Sequence, residues 1–242
     1  MARRNRTVAG AVLTLLCLPV AGWAHTSETG IDPGTIALRL QAREPSELKV
    51  DLQLLELKLC GVAISEHSAG GIVVQGDGGG SGLRSLEIRI VRHAHLEATT
   101  QMVLEPTGLL LVGPRPHPTS CGTWDYSVEL DPGATQPLSQ IELVEDPRNP
   151  RTGTSTGILD IAAVIRFTST NTGVTKSIPY PFALSLNAAW TLIPSGTDMA
   201  TGRTNLKLFA QGQGGSWFPA PSCVTEVSRG GQLCLEPVVD GN

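Results

Sequence analysis

Apolar residues recur at every second position in short runs, and turn residues separate the runs. Leu159, Ile161, Ala163, Ile165 and Phe167 share one parity, and Trp124, Tyr126, Val128 and Leu130 alternate with Asp125, Ser127, Glu129 and Asp131 before Pro132-Gly133 stops the run. Successive side chains of a strand point to opposite faces, so this spacing predicts strands with one buried and one wet face. Ile36, Leu38 and Leu40 repeat the pattern, as do Leu48, Val50, Leu52 and Leu54. In the latter run the apolar parity then moves to Leu55, Leu57 and Leu59. The even spacing favours a strand over a helix from Glu47 to Leu59, with a bulge or burial on both faces where the parity changes.

Further strands are expected over 71–75, 83–96, 100–104, 140–144, 158–168, 174–180, 182–192 and 205–210. Asn171-Thr172-Gly173 predicts a hairpin turn. Pro179 and Pro181 cannot donate to a ladder, so that part of the chain belongs at an edge or a corner. With 27 Gly and 17 Pro in 242 residues, the composition suits a fold of many turns. The expectation is an all-β protein, a β-sandwich of immunoglobulin-like or jelly-roll-like type with about ten short strands. Residues 25–194 would form the sandwich domain. Residues 195–242, where alternation weakens, would form an irregular disulfide-containing extension packed on it. Two stretches read as loops, 76–82 for its glycines and 145–157 for Pro147, Pro150, Gly153 and the Thr and Ser between.

The first residues have the layout of a secretory signal. Arg3, Arg4 and Arg6 precede an apolar stretch from Val8 to about Ala21, and Gly22-Trp23-Ala24 presents small residues at the first and third places. Cleavage after Ala24 would make His25 the mature N-terminus. Three arginines and no acidic residue leave with the segment, so the formal net charge falls from −4 by three. An acidic chain is a poor partner for nucleic acid. No later run reaches the length of a membrane span, so a secreted or periplasmic protein without a transmembrane segment is expected after cleavage.

Cys17 belongs to the signal, leaving Cys60, Cys121, Cys223 and Cys234. An even number in an exported chain predicts two disulfides. Cys223 with Cys234 closes a short Gly- and Ser-containing loop and is the favoured pair, which leaves Cys60 with Cys121. No two cysteines have the close spacing of a thiolate zinc site.

Familiar enzyme signatures are missing: there is no G-x-S-x-G, phosphate loop, H-E-x-x-H, dinucleotide fingerprint or calcium loop. Histidine is what remains. His93, His95 and Glu97 share the polar face of one strand and, with His117, form the candidate metal-ligand set. The α-amino group and imidazole of a mature His25 can chelate one metal together, and an added imidazole makes a nitrogen-rich site suited to copper(II). An N-terminal histidine after a signal peptide resembles the histidine brace of secreted copper proteins and copper-dependent polysaccharide monooxygenases. The resemblance covers the mature terminus and a second histidine, and implies copper binding with an oxidase activity. Trp124, Trp190, Tyr126 and Phe182 alternate as core residues, whereas Trp217-Phe218 lies beside Gly-rich sequence and is a candidate contact patch. The leading expectation is a secreted, non-catalytic module, without a cofactor, that binds a protein or glycan partner or plays a structural role. The alternative is a periplasmic or extracellular copper-binding protein.

Overall fold

The computed structural model describes residues 37–62, 69–76, 85–96, 99–194, 197–198, 203–204, 215–219 and 222–237. The strands are β1 (Ala37–Asp51), β2 (Ala69–Val73), β3 (Gln75–Gly76), β4 (Leu86–Leu96), β5 (Thr99–Val112), β6 (His117–Thr119), β7 (Gly122–Leu130), β8 (Ser139–Asp146) and β9 (Asn149–Ile161). They continue with β10 (Ala163–Ser169), β11 (Thr175–Pro179), β12 (Phe182–Ser185), β13 (Ala189–Pro194), β14 (Thr197–Asp198), β15 (Arg203–Thr204), β16 (Gly215–Pro219), β17 (Ser222–Glu226) and β18 (Gln232–Pro237). One helix, α1 (Leu52–Cys60), follows β1.

The all-β expectation holds, but the sandwich does not. Eight strands close on themselves in the order β1, β4, β5, β8, β9, β12, β17, β18 and back to β1, each pair antiparallel. The barrel interior is filled by Leu40, Ile88, Met102, Leu104, Ile141, Leu143, Leu159, Leu184 and Leu235, all buried. Gln140, Glu142, Thr154, Thr156, Asp160 and Thr225 point out to water. That polarity is the reverse of an outer-membrane barrel. Alternation identifies a buried face and says nothing of neighbour order, so sandwich and barrel read alike along any one strand.

β5 joins the barrel to a flanking sheet. Its first part pairs with β8 and its last residues pair with β7 and β3. The flanking sheet continues through β10 to β11, which ends the strand order as its prolines predict. The single run read from Ile158 to Thr168 is two strands, because the chain passes from barrel to flanking sheet at Ala162. The Gln136 amide donates to Ala162 O and accepts from Ala162 N–H, taking the place of a neighbouring strand there. Leu111, Tyr126, Val128, Ile165 and Phe167 join the barrel residues in one core.

Three local expectations are corrected. The strand expected over Glu47–Leu59 ends at Asp51, whose carboxylate accepts from the N–H groups of Gln53 and Leu54 and starts α1. Gly61 ends the helix at φ 71, a left-handed conformation that glycine adopts without strain. The supposed loop 145–157 is a hairpin between β8 and β9, with Asp146 Oδ1 accepting from Arg148 N–H at its turn. The C-terminal stretch expected to be irregular supplies barrel strands β17 and β18. Both disulfides form as paired above, Cys60 with Cys121 and Cys223 with Cys234.

Candidate binding cleft

With the barrel interior packed by side chains, the candidate cleft lies outside it. A cleft of about 430 Å³ lies between β2 and the connection leading into β6, lined by Gly71, Ile72, Val73, Arg115, Pro116, His117, Pro118 and Tyr126. This is within the ordinary range for ligand sites, roughly 300–1,000 Å³.

Each wall has a local cause. On β7 the alternation that buries Trp124 and Val128 turns the Tyr126 ring inward. Gly113 lets that ring approach the backbone: a Cβ there would lie 2.4 Å from the ring, and Gly113 N–H donates to Tyr126 O at 2.9 Å. The phenol reaches across and donates to Val73 O at 2.5 Å. The far side is tied to α1. Cys121 is bonded to Cys60 at the end of the helix, and the Glu56 carboxylate accepts from Ser120 N–H and Oγ. Thr119 Oγ1 donates to Gly122 O and accepts from Trp124 Nε1, closing the β6–β7 turn.

His117 is half-buried, its ring edge-on to Tyr126 with centroids 6.3 Å apart. Burial pushes the imidazole below its usual 6.5, and the Glu56 carboxylate pulls it up without overcoming that effect. The His117 and Tyr126 rings are held close together in the wall of the cleft, and the net shift favours the uncharged imidazole. Burial likewise raises the Tyr126 phenol, against the opposing pull of Arg115. Arg115 is exposed and has no ion-pair partner among the described residues. The cleft thus combines an apolar wall, an imidazole and a guanidinium without an ion-pair partner among the described residues. A second cleft of about 420 Å³ on the other side of Val73 differs in charge, since its Lys49 and Glu47 pair with each other at 2.8 Å.

Of the residues singled out by sequence, His117 lies in this cleft. His93 and His95 sit on β4 opposite Met102 and Thr100, at the start of β5, whereas His117 follows the end of β5. The fold therefore does not bring His117 beside that pair. His25 and Glu97 lie outside the described residues. Among the described residues no group of three His, Cys, Asp or Glu is placed to hold a metal. Trp217 and Phe218 fall on β16, opposite Leu192 and Thr191 of β13. Sequence reading missed Arg115, Gly71 and Val73 and took Tyr126 for core alone. The signal present was Arg115-Pro116-His117-Pro118, whose two prolines lack N–H groups and leave the segment only the short strand β6, paired with β7.

Fold and cleft together define a disulfide-stabilised, all-β barrel protein with a flanking sheet and, among the described residues, one helix. Compared with known proteins, the chain matches no protein family, no curated protein and no solved structure.

Proposed function

We propose that the protein is an extracytoplasmic binding module that recognises a protein or glycan partner through the cleft beside β2. Residues 1–24 act as its export signal. Two disulfides suit an oxidising compartment, and no described helix is long and apolar enough to cross a membrane. The observation that carries the reading is the convergence of Arg115, without an ion-pair partner among the described residues, half-buried His117 and an apolar wall on one opening of ligand size.

The test is residue-resolved NMR of the disulfide-intact protein, titrated separately with a capped peptide, a chito-oligosaccharide and copper(II). The reading expects the peptide or the sugar to shift the amides of Gly71, Val73 and His117 ahead of those elsewhere. If neither organic probe reaches these amides and copper(II) alone broadens the histidine signals, the module reading gives way to the metal-binding one.

A further inference from the structure

The β1–β2 ladder is unfinished on one side. Val74 N–H donates to Ser46 O at 3.2 Å, and the register pairs Leu48 with Ile72 and Val50 with Gly70. Opposed residues of an antiparallel pair alternate between hydrogen-bonded and non-bonded sets. Ser46 with Val74 therefore puts Leu48/Ile72 and Val50/Gly70 in the bonded set, and Gly71 and Val73 turn their N–H and C=O groups away from β1.

Two phenols agree with that direction. Tyr126 donates to Val73 O from the cleft side, and Tyr180 donates to the carbonyl of Lys49, the residue opposite Gly71. No strand pairs with the outer edge of β2 among the described residues. Since Tyr126 occupies the Val73 carbonyl, the groups left without a partner among the described residues are Gly71 N–H, Gly71 C=O and Val73 N–H. The opposite wall is unable to supply a regular partner, because Pro116 and Pro118 have no N–H.

We propose that this edge receives an extended peptide of a partner protein as an added strand, with a carboxylate side chain of that peptide held by Arg115. The inference rests on the cleft being the recognition site. Main-chain pairing to Gly71 and Val73 supplies binding that tolerates many sequences, and the guanidinium supplies selection for an acid. Val73, Pro116 and Pro118 offer exposed apolar surface to the neighbours of that acid. The added strand accepts hydrogen bonds from two β2 N–H groups and donates one, to Gly71 C=O.

The experiment titrates the disulfide-intact protein with the capped hexapeptide Ac-Thr-Val-Asp-Val-Thr-Val-NH2 and with its Asp-to-Asn counterpart. Two further versions of the Asp peptide carry N-methyl groups on one or the other alternate set of amides. Methylation of the set that faces β2 should weaken binding about tenfold or more, and methylation of the other set should leave it unchanged. Arg115→Ala should weaken the Asp peptide by about tenfold and leave the Asn peptide unaffected, with Arg115→Lys recovering part of the loss. Equal binding by both methylated peptides, or equal loss of the Asp and Asn peptides in Arg115→Ala, would overturn the proposal. Binding of the chito-oligosaccharide at Gly71 and Val73 without peptide binding would remove strand addition and leave the cleft reading standing. Binding of neither probe would remove both.

Discussion

At the scale of single residues, the cleft depends on groups with two duties. Tyr126 is a core ring whose hydroxyl also holds the end of β2, so Tyr126→Phe should keep the fold while losing about 1 kcal/mol of stability in denaturant unfolding. The same variant frees the Val73 carbonyl and should extend the available edge by one acceptor. His117 makes a pH prediction with a definite sign. Its folded pKa is lowered, so its contribution to stability is fully present above about 6.5 and is lost as pH falls through the folded value. Thermal unfolding of wild type and His117→Gln should therefore diverge in pH dependence below 6.5 and run parallel above it. Sequence made the burial of Trp124, Tyr126, Phe182 and Trp190 legible, because burial follows parity. It did not reveal that Trp190 Nε1 donates to Ser155 Oγ, or that Tyr126 meets Val73, since such contacts join residues distant along the chain.

Among elements, α1 shows where periodicity misleads. Leu52, Leu54, Leu55, Leu57 and Leu59 support more than one reading, and what decides between them is the cap: Asp51 holds two N–H groups of the first turn, and Leu55 and Leu59 then bury on one face four residues apart. The change of parity from Leu54 to Leu55, read as a bulge or as burial on both faces, falls inside the helix, which already begins at Leu52. Asp51→Ala should cost about 1 kcal/mol, measurable by denaturant unfolding, and should weaken the anchorage of Cys60 and Glu56 beside the cleft. The β17–β18 turn has a comparable device. Glu226 is fully buried, which alone would raise its carboxyl, yet hydrogen bonds from Ser228 N–H and Oγ and Arg229 N–H hold it below its usual range. The stability it supplies is present above about 4.5 and lost as pH falls through the lowered value, so Glu226→Gln should flatten the acid limb of the unfolding profile. Arg229 also stacks 4.5 Å from the Tyr180 ring, whose phenol burial pushes up to about 12.

For the whole molecule, closure of the barrel is the feature least visible in sequence. Strand order depends on which edges meet, and the two longest strands each change partners along their length: β1 pairs with β4, then β18, then β2, and β5 pairs with β8 and then β7. A run of alternating residues carries no mark of such a change except where a side chain substitutes for a neighbour, as Gln136 does at Ala162. The disulfides were legible, since an even count and one short loop limit the choices. Cys60–Cys121 spans 61 residues, and the Cys60→Ser/Cys121→Ser double variant should lose about 4 kcal/mol in a loop-closure account. Because this bond ties α1 to the β6–β7 turn, the double variant should also lose ligand response at His117 before the barrel itself unfolds.

Whether the outer edge of β2 is open to a partner can be read from residue-resolved amide hydrogen exchange across 70–74 of the free protein. Exchange should alternate, slow at Gly70, Ile72 and Val74, whose N–H groups face β1, and fast at Gly71 and Val73, whose N–H groups face the cleft. Equal protection of all five amides would mean that the edge is already paired and closed to an added strand.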